Sequence, residues 1–70
     1  MVEVFKTNIY KQNQCKDVIG ILLKYNPFCK INFDLEDCDR IMRIEAASID
    51  SKFVNLLLAE NGFECEVLPD

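Results

Sequence analysis

The sequence lacks residue types on which many protein activities depend. It has no histidine and no tryptophan, and only two glycines and two prolines among its 70 residues. Histidine is the usual general base and the commonest metal ligand, so its absence argues against acid–base catalysis. A chain this short also buries only a modest core, which leaves little room for a deep, water-excluding site. We therefore expect a single domain that is not an enzyme.

Long apolar runs and clusters of positive charge are also absent. No segment approaches the roughly 20 apolar residues of a membrane span. The first residues, MVEVFKTN, are typical of a strand rather than of a signal peptide. Eight Lys and Arg residues stand against twelve Asp and Glu residues, which gives a net charge of −4. Because nucleic acids and anionic membranes bind concentrated positive fields, we expect neither as a partner, and we expect a soluble, cytoplasmic protein.

Cysteine is the reactive residue type that is well represented. The four cysteines, Cys15, Cys29, Cys38 and Cys65, are irregularly spaced, and no two of them form a C-x-x-C pair. In a reducing compartment such residues are expected to be free thiols. Two disulfides are the alternative for an even number of cysteines in a short chain.

Two sequence breaks mark the ends of two predicted helices. Asn26-Pro27 ends the first, because proline cannot continue a helix and restricts the residue before it. Gly62 suits the left-handed position that follows the end of the second. Asn13 is the predicted N-cap of the first helix, and Ser48 or Asp50 that of the second. The pattern predicts strands over residues 2–8, 29–35, 40–46 and 63–68, and helices over residues 13–25 and from 48 or 50 to 61.

Apolar periodicity predicts which residues face the core. In the first strand, Val2 and Val4 favour one face, and Phe5, Thr7 and Ile9 favour the other. A bulge, or partial cover on both faces, would reconcile the two patterns. The second strand alternates cleanly, which indicates one solvated face. The expected inward residues are Cys29, Ile31, Phe33 and Leu35 in the second strand, Met42 and Ile44 in the third, and Phe63, Cys65 and Val67 in the fourth; the expected helix stripes are Cys15, Val18, Ile19, Leu22 and Leu23, and Ile49, Phe53, Leu56 and Leu57 with Glu60 in register.

The order of these elements predicts an α+β, ferredoxin-like βαββαβ sandwich. Two strand–helix–strand units joined by a hairpin form a four-stranded antiparallel sheet with two helices on one face. Right-handed crossovers then place the first and third strands in the centre and the second and fourth at the edges.

A chain with this topology resembles the heavy-metal-associated (HMA) domain family, which includes copper chaperones and the N-terminal domains of metal-pumping ATPases. The resemblance covers essentially the whole chain. It rests on INFDLEDCDRIMRIE, which is similar to the family's second and third strands, and on ENGFECEVL, which is similar to its last helix end and last strand. Phe63 matches an aromatic residue that the family places under its metal loop.

The resemblance implies a soft-metal site between the first strand and the first helix. There the family holds Cu(I) or Zn(II) with the two thiolates of a C-x-x-C motif. Cys15 matches the second cysteine, and Ile19 and Leu22 lie at the expected offsets, but Gln12 replaces the first cysteine. The residues at positions 10 and 11 also depart from the family's methionine–threonine approach. An amide is a poor ligand for a soft ion, so we expect no bound cofactor.

Two functions remain open at this stage. The first is a degenerate HMA domain that has lost its metal site and binds a protein partner, or a second copy, through an edge strand. The second is an atypical Cu(I) or Zn(II) protein that uses Cys15 together with Cys38 or with a second subunit. The topology places Cys15 and Cys38 at one end of the molecule, where Asp37 or Asp39 could complete a site. Cys15 as a small apolar core residue is the simpler alternative.

Overall fold

A computed structural model describes residues 1–36, 38 and 40–69 and confirms the predicted α+β architecture. Its elements are β1 (Val2–Thr7), α1 (Gln12–Tyr25), β2 (Lys30–Asp34), β3 (Ile41–Glu45), α2 (Ser51–Glu60) and β4 (Cys65–Val67). The four strands form one antiparallel sheet in the order β2-β3-β1-β4, so β1 and β3 are central and β2 and β4 are the edges. This is the ferredoxin-like arrangement. Within the described residues, neither helix is long and apolar enough to cross a membrane.

The register of β1 resolves the ambiguity in its pattern. β1 pairs with β3 continuously, from Val2 opposite Glu45 to Lys6 opposite Ile41, and this pairing contains no bulge. Phe5 is fully buried beneath the helices, whereas Val2 is exposed on the other face. Apolar residues of β1 therefore lie on both faces, but only one face belongs to the core.

The core lies between the sheet and one stripe of each helix. Fully burying a large apolar side chain contributes roughly 1.5–3 kcal/mol, so a small number of such residues carries most of the stability. Half-buried residues of β2 and β4 surround this cluster, as their alternation predicted. The buried members are Phe5, Ile9, Cys15, Val18, Leu22, Met42, Ile44, Val54 and Leu58.

The start of α1 differs from the prediction that Asn13 is its N-cap. The helix begins one residue earlier, at Gln12, and Lys11 occupies the N-cap position. A lysine side chain has no hydrogen-bond acceptor, so Gln14 performs the capping instead. Its Oε1 atom accepts hydrogen bonds from the backbone N–H groups of Tyr10 and Lys11, at 3.0 and 3.1 Å.

In α2 the N-cap is one of the two predicted residues, and the predicted buried stripe is only partly correct, since Ile49 and Leu57 are half-buried against the core. Asp50 is the N-cap, and its Oδ1 atom accepts from the backbone N–H of Phe53 at 3.2 Å. The helix buries Val54 and Leu58, whereas Phe53 and Leu56 are 43% and 65% exposed. Apolar residues occupy nearly every side of this helix, so periodicity alone fits several rotations about its axis. Packing against the sheet decides between them.

Candidate functional site

Three loops meet at the end of the molecule where the resemblance places a metal. Backbone hydrogen bonds join Thr7 N–H to the Arg40 carbonyl and Asn8 N–H to the Glu64 carbonyl, both at 3.2 Å. The Asn8 side chain in turn accepts from Glu64 N–H at 3.0 Å. The loop after β1 is therefore tied both to the β2–β3 hairpin and to the loop before β4.

The Thr7 hydroxyl reinforces this junction. It donates to the Arg40 carbonyl at 2.6 Å and accepts from Ile9 N–H at 3.1 Å. Thr7 and Ile9 are both buried, so each of these groups needs its partner. Arg40 has a φ of 52°, a left-handed conformation that non-glycine residues seldom adopt. Nothing in the sequence signalled this conformation.

Cys15 lies in the first turn of α1 but is packed into the core. Its side chain is 6% exposed, and its backbone N–H donates to the Lys11 carbonyl at 3.2 Å. Burial raises the pKa of the Cys15 thiol above its ordinary value. Soft metals bind the thiolate, so this environment favours the protonated, apolar form over a metal ligand.

The second predicted ligand, Cys38, has a different environment from Cys15. It is exposed in the β2–β3 turn, and it does not line the groove that Cys15 borders. Asp37 and Asp39, which could complete the predicted site, lie outside the described residues. Within the described part of the chain, no group of three or more cysteine or acidic side chains is arranged to hold a metal ion. A site using Cys15 and Cys38 stays a prediction.

The other residues of interest are more simply explained by packing. Phe63 is half-buried against the core, and its N–H donates to the Leu58 carbonyl at 2.9 Å. Cys65 donates its thiol hydrogen to Asn55 Oδ1 at 2.9 Å, and burial raises its pKa to about 11. Cys29 is half-buried before β2, at the opposite end of the sheet from the three joined loops.

A groove between α1 and the edge strand β2 is a feature that sequence patterns did not predict. Its volume is about 580 Å³. The strand contributes Ile31 and Phe33, and Leu35 follows directly after its end; the side chains of all three are half-buried and pack against the core. They remain half-buried because no strand lies beyond β2 to cover them. The helix contributes Gln12, Cys15, Lys16 and Ile19, and the remaining lining residues are Asn32, Asp34 and Glu36.

Exposed aromatic residues lie near the start of β2. Phe28 is 89% exposed just before the strand, in a turn where Asn26 Oδ1 accepts from its N–H at 3.1 Å. The half-exposed rings of Tyr25 and Phe53 contact each other, with centroids 4.3 Å apart, and bridge the two helices. Apolar side chains are therefore exposed beside the β2 edge and on both helices, and also at Met1, Val2 and Tyr10.

The two sheet edges differ. β2 contains five residues, and β4 contains three. Glu64 and Glu66 are exposed at β4, whereas β2 carries side chains of both charge signs on its exposed face, with Lys30 at one end and Asp34 at the other. Acidic residues blunt an edge against pairing with acidic chains, so β2 is the more receptive edge.

The family resemblance has no independent support from known proteins. Comparisons of the chain with protein-family models, with curated proteins and with solved structures find no match. The fold is shown by the structure, and membership of the HMA family stays a prediction.

Proposed function

We propose that this chain is a non-catalytic protein-interaction module, a degenerate HMA-like domain that binds another chain through the β2 edge. One observation carries the proposal: β2 is an open edge strand, and its apolar side chains form one wall of the neighbouring groove. Backbone groups and apolar surface are therefore available side by side, within reach of the same bound segment.

Strand addition uses both parts of such a surface. An added strand forms main-chain hydrogen bonds with the outer side of the edge strand, and alternate side chains enter the neighbouring groove. Ile31 and Phe33 would contact these side chains, and Ile19 would contact them from the helix. The ligand expected from this geometry is an extended segment with apolar residues at every second position.

The environment of Cys15 supports the loss of metal transport in this proposal. Its thiol is buried and its pKa is raised, whereas a metal-transfer site needs an accessible thiolate. The alternative function, soft-metal binding through Cys15 with Cys38 or with a second subunit, stays a prediction and has its own test below.

Random-peptide display against the immobilised protein tests the proposal. Enriched peptides should contain alternating apolar residues, and they should shift the backbone amide resonances of residues 30–35 in the ¹⁵N-labelled protein. Ile19→Glu places a charge in the groove and should weaken binding at least about tenfold, since a buried unpaired charge is costly. Leu23→Glu is the matched control, because Leu23 is on the same helix but does not line the groove.

Two results would contradict this function. One is a failure to enrich any peptide. The other is binding that shifts resonances of the helices or of β4 and leaves those of β2 unchanged.

A further inference from the structure

We propose that the chain bound at β2 is a second copy of this protein, paired antiparallel about a two-fold axis at Asn32. The inference rests on the proposed function and specifies the partner and the register. The pairing would join two four-stranded sheets into one continuous sheet, with the helices of both copies on the same face.

Charge complementarity on the exposed face of β2 carries this proposal. The strand reads Lys-Ile-Asn-Phe-Asp from Lys30 to Asp34. In an antiparallel pair centred on Asn32, Lys30 of each copy lies opposite Asp34 of the other. Asn32 lies opposite its own counterpart, and two amide side chains can hydrogen-bond to each other. A two-fold interface contains each contact twice, so the Lys30–Asp34 pairing gives two ion pairs per dimer.

The helix-facing side of β2 is complementary in the same register. Ile31 of one copy lies opposite Phe33 of the other, and Cys29 and Leu35, one residue beyond either end of β2, also lie opposite each other. All four side chains are only half-buried in a single copy, although they pack against the core. Pairing would cover the open side of the α1–β2 groove in both copies with apolar groups, which is the favourable contribution of the interface.

Neighbouring registers fit less well. Moving the axis to Ile31 places Lys30 opposite Asn32 and loses both ion pairs. Moving it to Phe33 places Lys30 opposite Glu36, which lies beyond the end of β2. A one-residue slip would place Lys30, on the exposed face, opposite Phe33 or Leu35 on the helix-facing side, so the helices of the two copies could not lie on the same face of a joined sheet. The register centred on Asn32 is therefore the one that satisfies both faces within the strand.

Charge reversal provides a specific test by sedimentation equilibrium. Lys30→Glu and Asp34→Lys each replace both attractive pairs with repulsive ones, so each variant should self-associate at least about tenfold more weakly than the original chain. When the two variants are mixed, a heterodimer restores both ion pairs and should form with about the original affinity. Glu60→Lys changes the net charge as Asp34→Lys does, and it should leave the affinity unchanged because Glu60 is exposed at the end of α2 and does not line the groove.

Lys30 also lies opposite Glu45 of β3, so Lys30→Glu introduces repulsion within one copy as well. Lys30→Gln is the second variant: it removes the ion pairs without adding like charge, and it should weaken the dimer to a smaller degree. Circular dichroism confirms that each variant is folded before its association is measured.

Three outcomes would overturn the inference. They are a chain that stays monomeric at millimolar concentration, a dimer that is insensitive to both charge reversals, and a mixture of the two variants that forms no heterodimer. If the chain is monomeric but peptides still bind at β2, the dimer is excluded and the proposed function stands. If peptides also fail to bind, both are excluded.

Discussion

In the folded protein, the thiol of Cys65 should react much more slowly with iodoacetamide than the thiol of Cys38. Cys38 is exposed, whereas burial raises the pKa of Cys65 from 9.0 to about 11. At pH 8 this shift lowers the thiolate fraction about a hundredfold. The more basic thiolate is also a better nucleophile, and its higher intrinsic reactivity raises the alkylation rate roughly eightfold. The net reaction should be about tenfold slower than that of an unshifted thiol, before steric shielding is added.

Timed alkylation followed by peptide mass spectrometry measures each cysteine separately. The same reaction in urea provides the unfolded reference, and the ratio of native to unfolded rates removes the effect of local sequence. The ratio should be much smaller for Cys65 than for Cys38, because the Cys65 thiol is half-buried and hydrogen-bonded to Asn55, whereas Cys38 is exposed. Cys15 and Cys29 should also be slowed, since burial raises the pKa of both.

Two results would refute this reasoning. Equal native rates for Cys65 and Cys38 would show that burial does not protect Cys65. Faster reaction of Cys15 in the folded than in the unfolded chain, maintained at pH 6, would show a depressed pKa at the start of α1. The second result would favour a reactive or metal-binding thiolate over an apolar core residue.

Three further predictions concern metal binding and stability. In an anaerobic Cu(I) titration against bicinchoninate, the original chain and Cys15→Ser should give the same curve. If the original chain binds Cu(I) stoichiometrically and Cys15→Ser does not, the metal site is established instead. Thr7→Val should lower the free energy of unfolding in urea by about 1–3 kcal/mol, because the buried Ile9 N–H loses its acceptor. Thr7→Ser is the control, and rapid amide exchange at Ile9 should occur in the valine variant alone. Because the pKa of Cys65 is raised on folding, its contribution to the free energy of unfolding is fully present below pH 9.0 and declines toward pH 11. Cys65→Ala should reduce this decline. A pH profile of stability that is the same in both proteins would contradict the prediction.

The topology could be predicted because local signals agreed with one another. The alternation of β2 fixed its inward face, and Pro27 and Gly62 lie at the predicted helix ends. The rotation of α2 could not be predicted from its sequence. Leu56 and Leu58 are equally apolar, and only packing against the sheet determines that Leu58 is buried and Leu56 is exposed.

The candidate site was only partly visible in the sequence. The resemblance directed attention to Cys15 and to one end of the fold, and the three loops do meet there. The groove depends on how far α1 lies from β2, the edge strand that comes after it in the chain. No local sequence pattern encodes this distance. The alternating charges of β2, from Lys30 to Asp34, were present in the sequence, but they acquire meaning only once β2 is known to be an edge.

The short, acidic β4 strand has a consequence for how far assembly could proceed. A sheet with two receptive edges can add copies without limit and grow into a fibre. Around β4, antiparallel pairing with a second copy would bring Glu64 or Glu66 opposite another glutamate or Leu68, over only three strand residues. A copy that pairs through β2 therefore offers no equivalent edge for the next one. If copies pair through β2 as proposed, this asymmetry between the two edges would favour a two-chain assembly over the continued addition of copies.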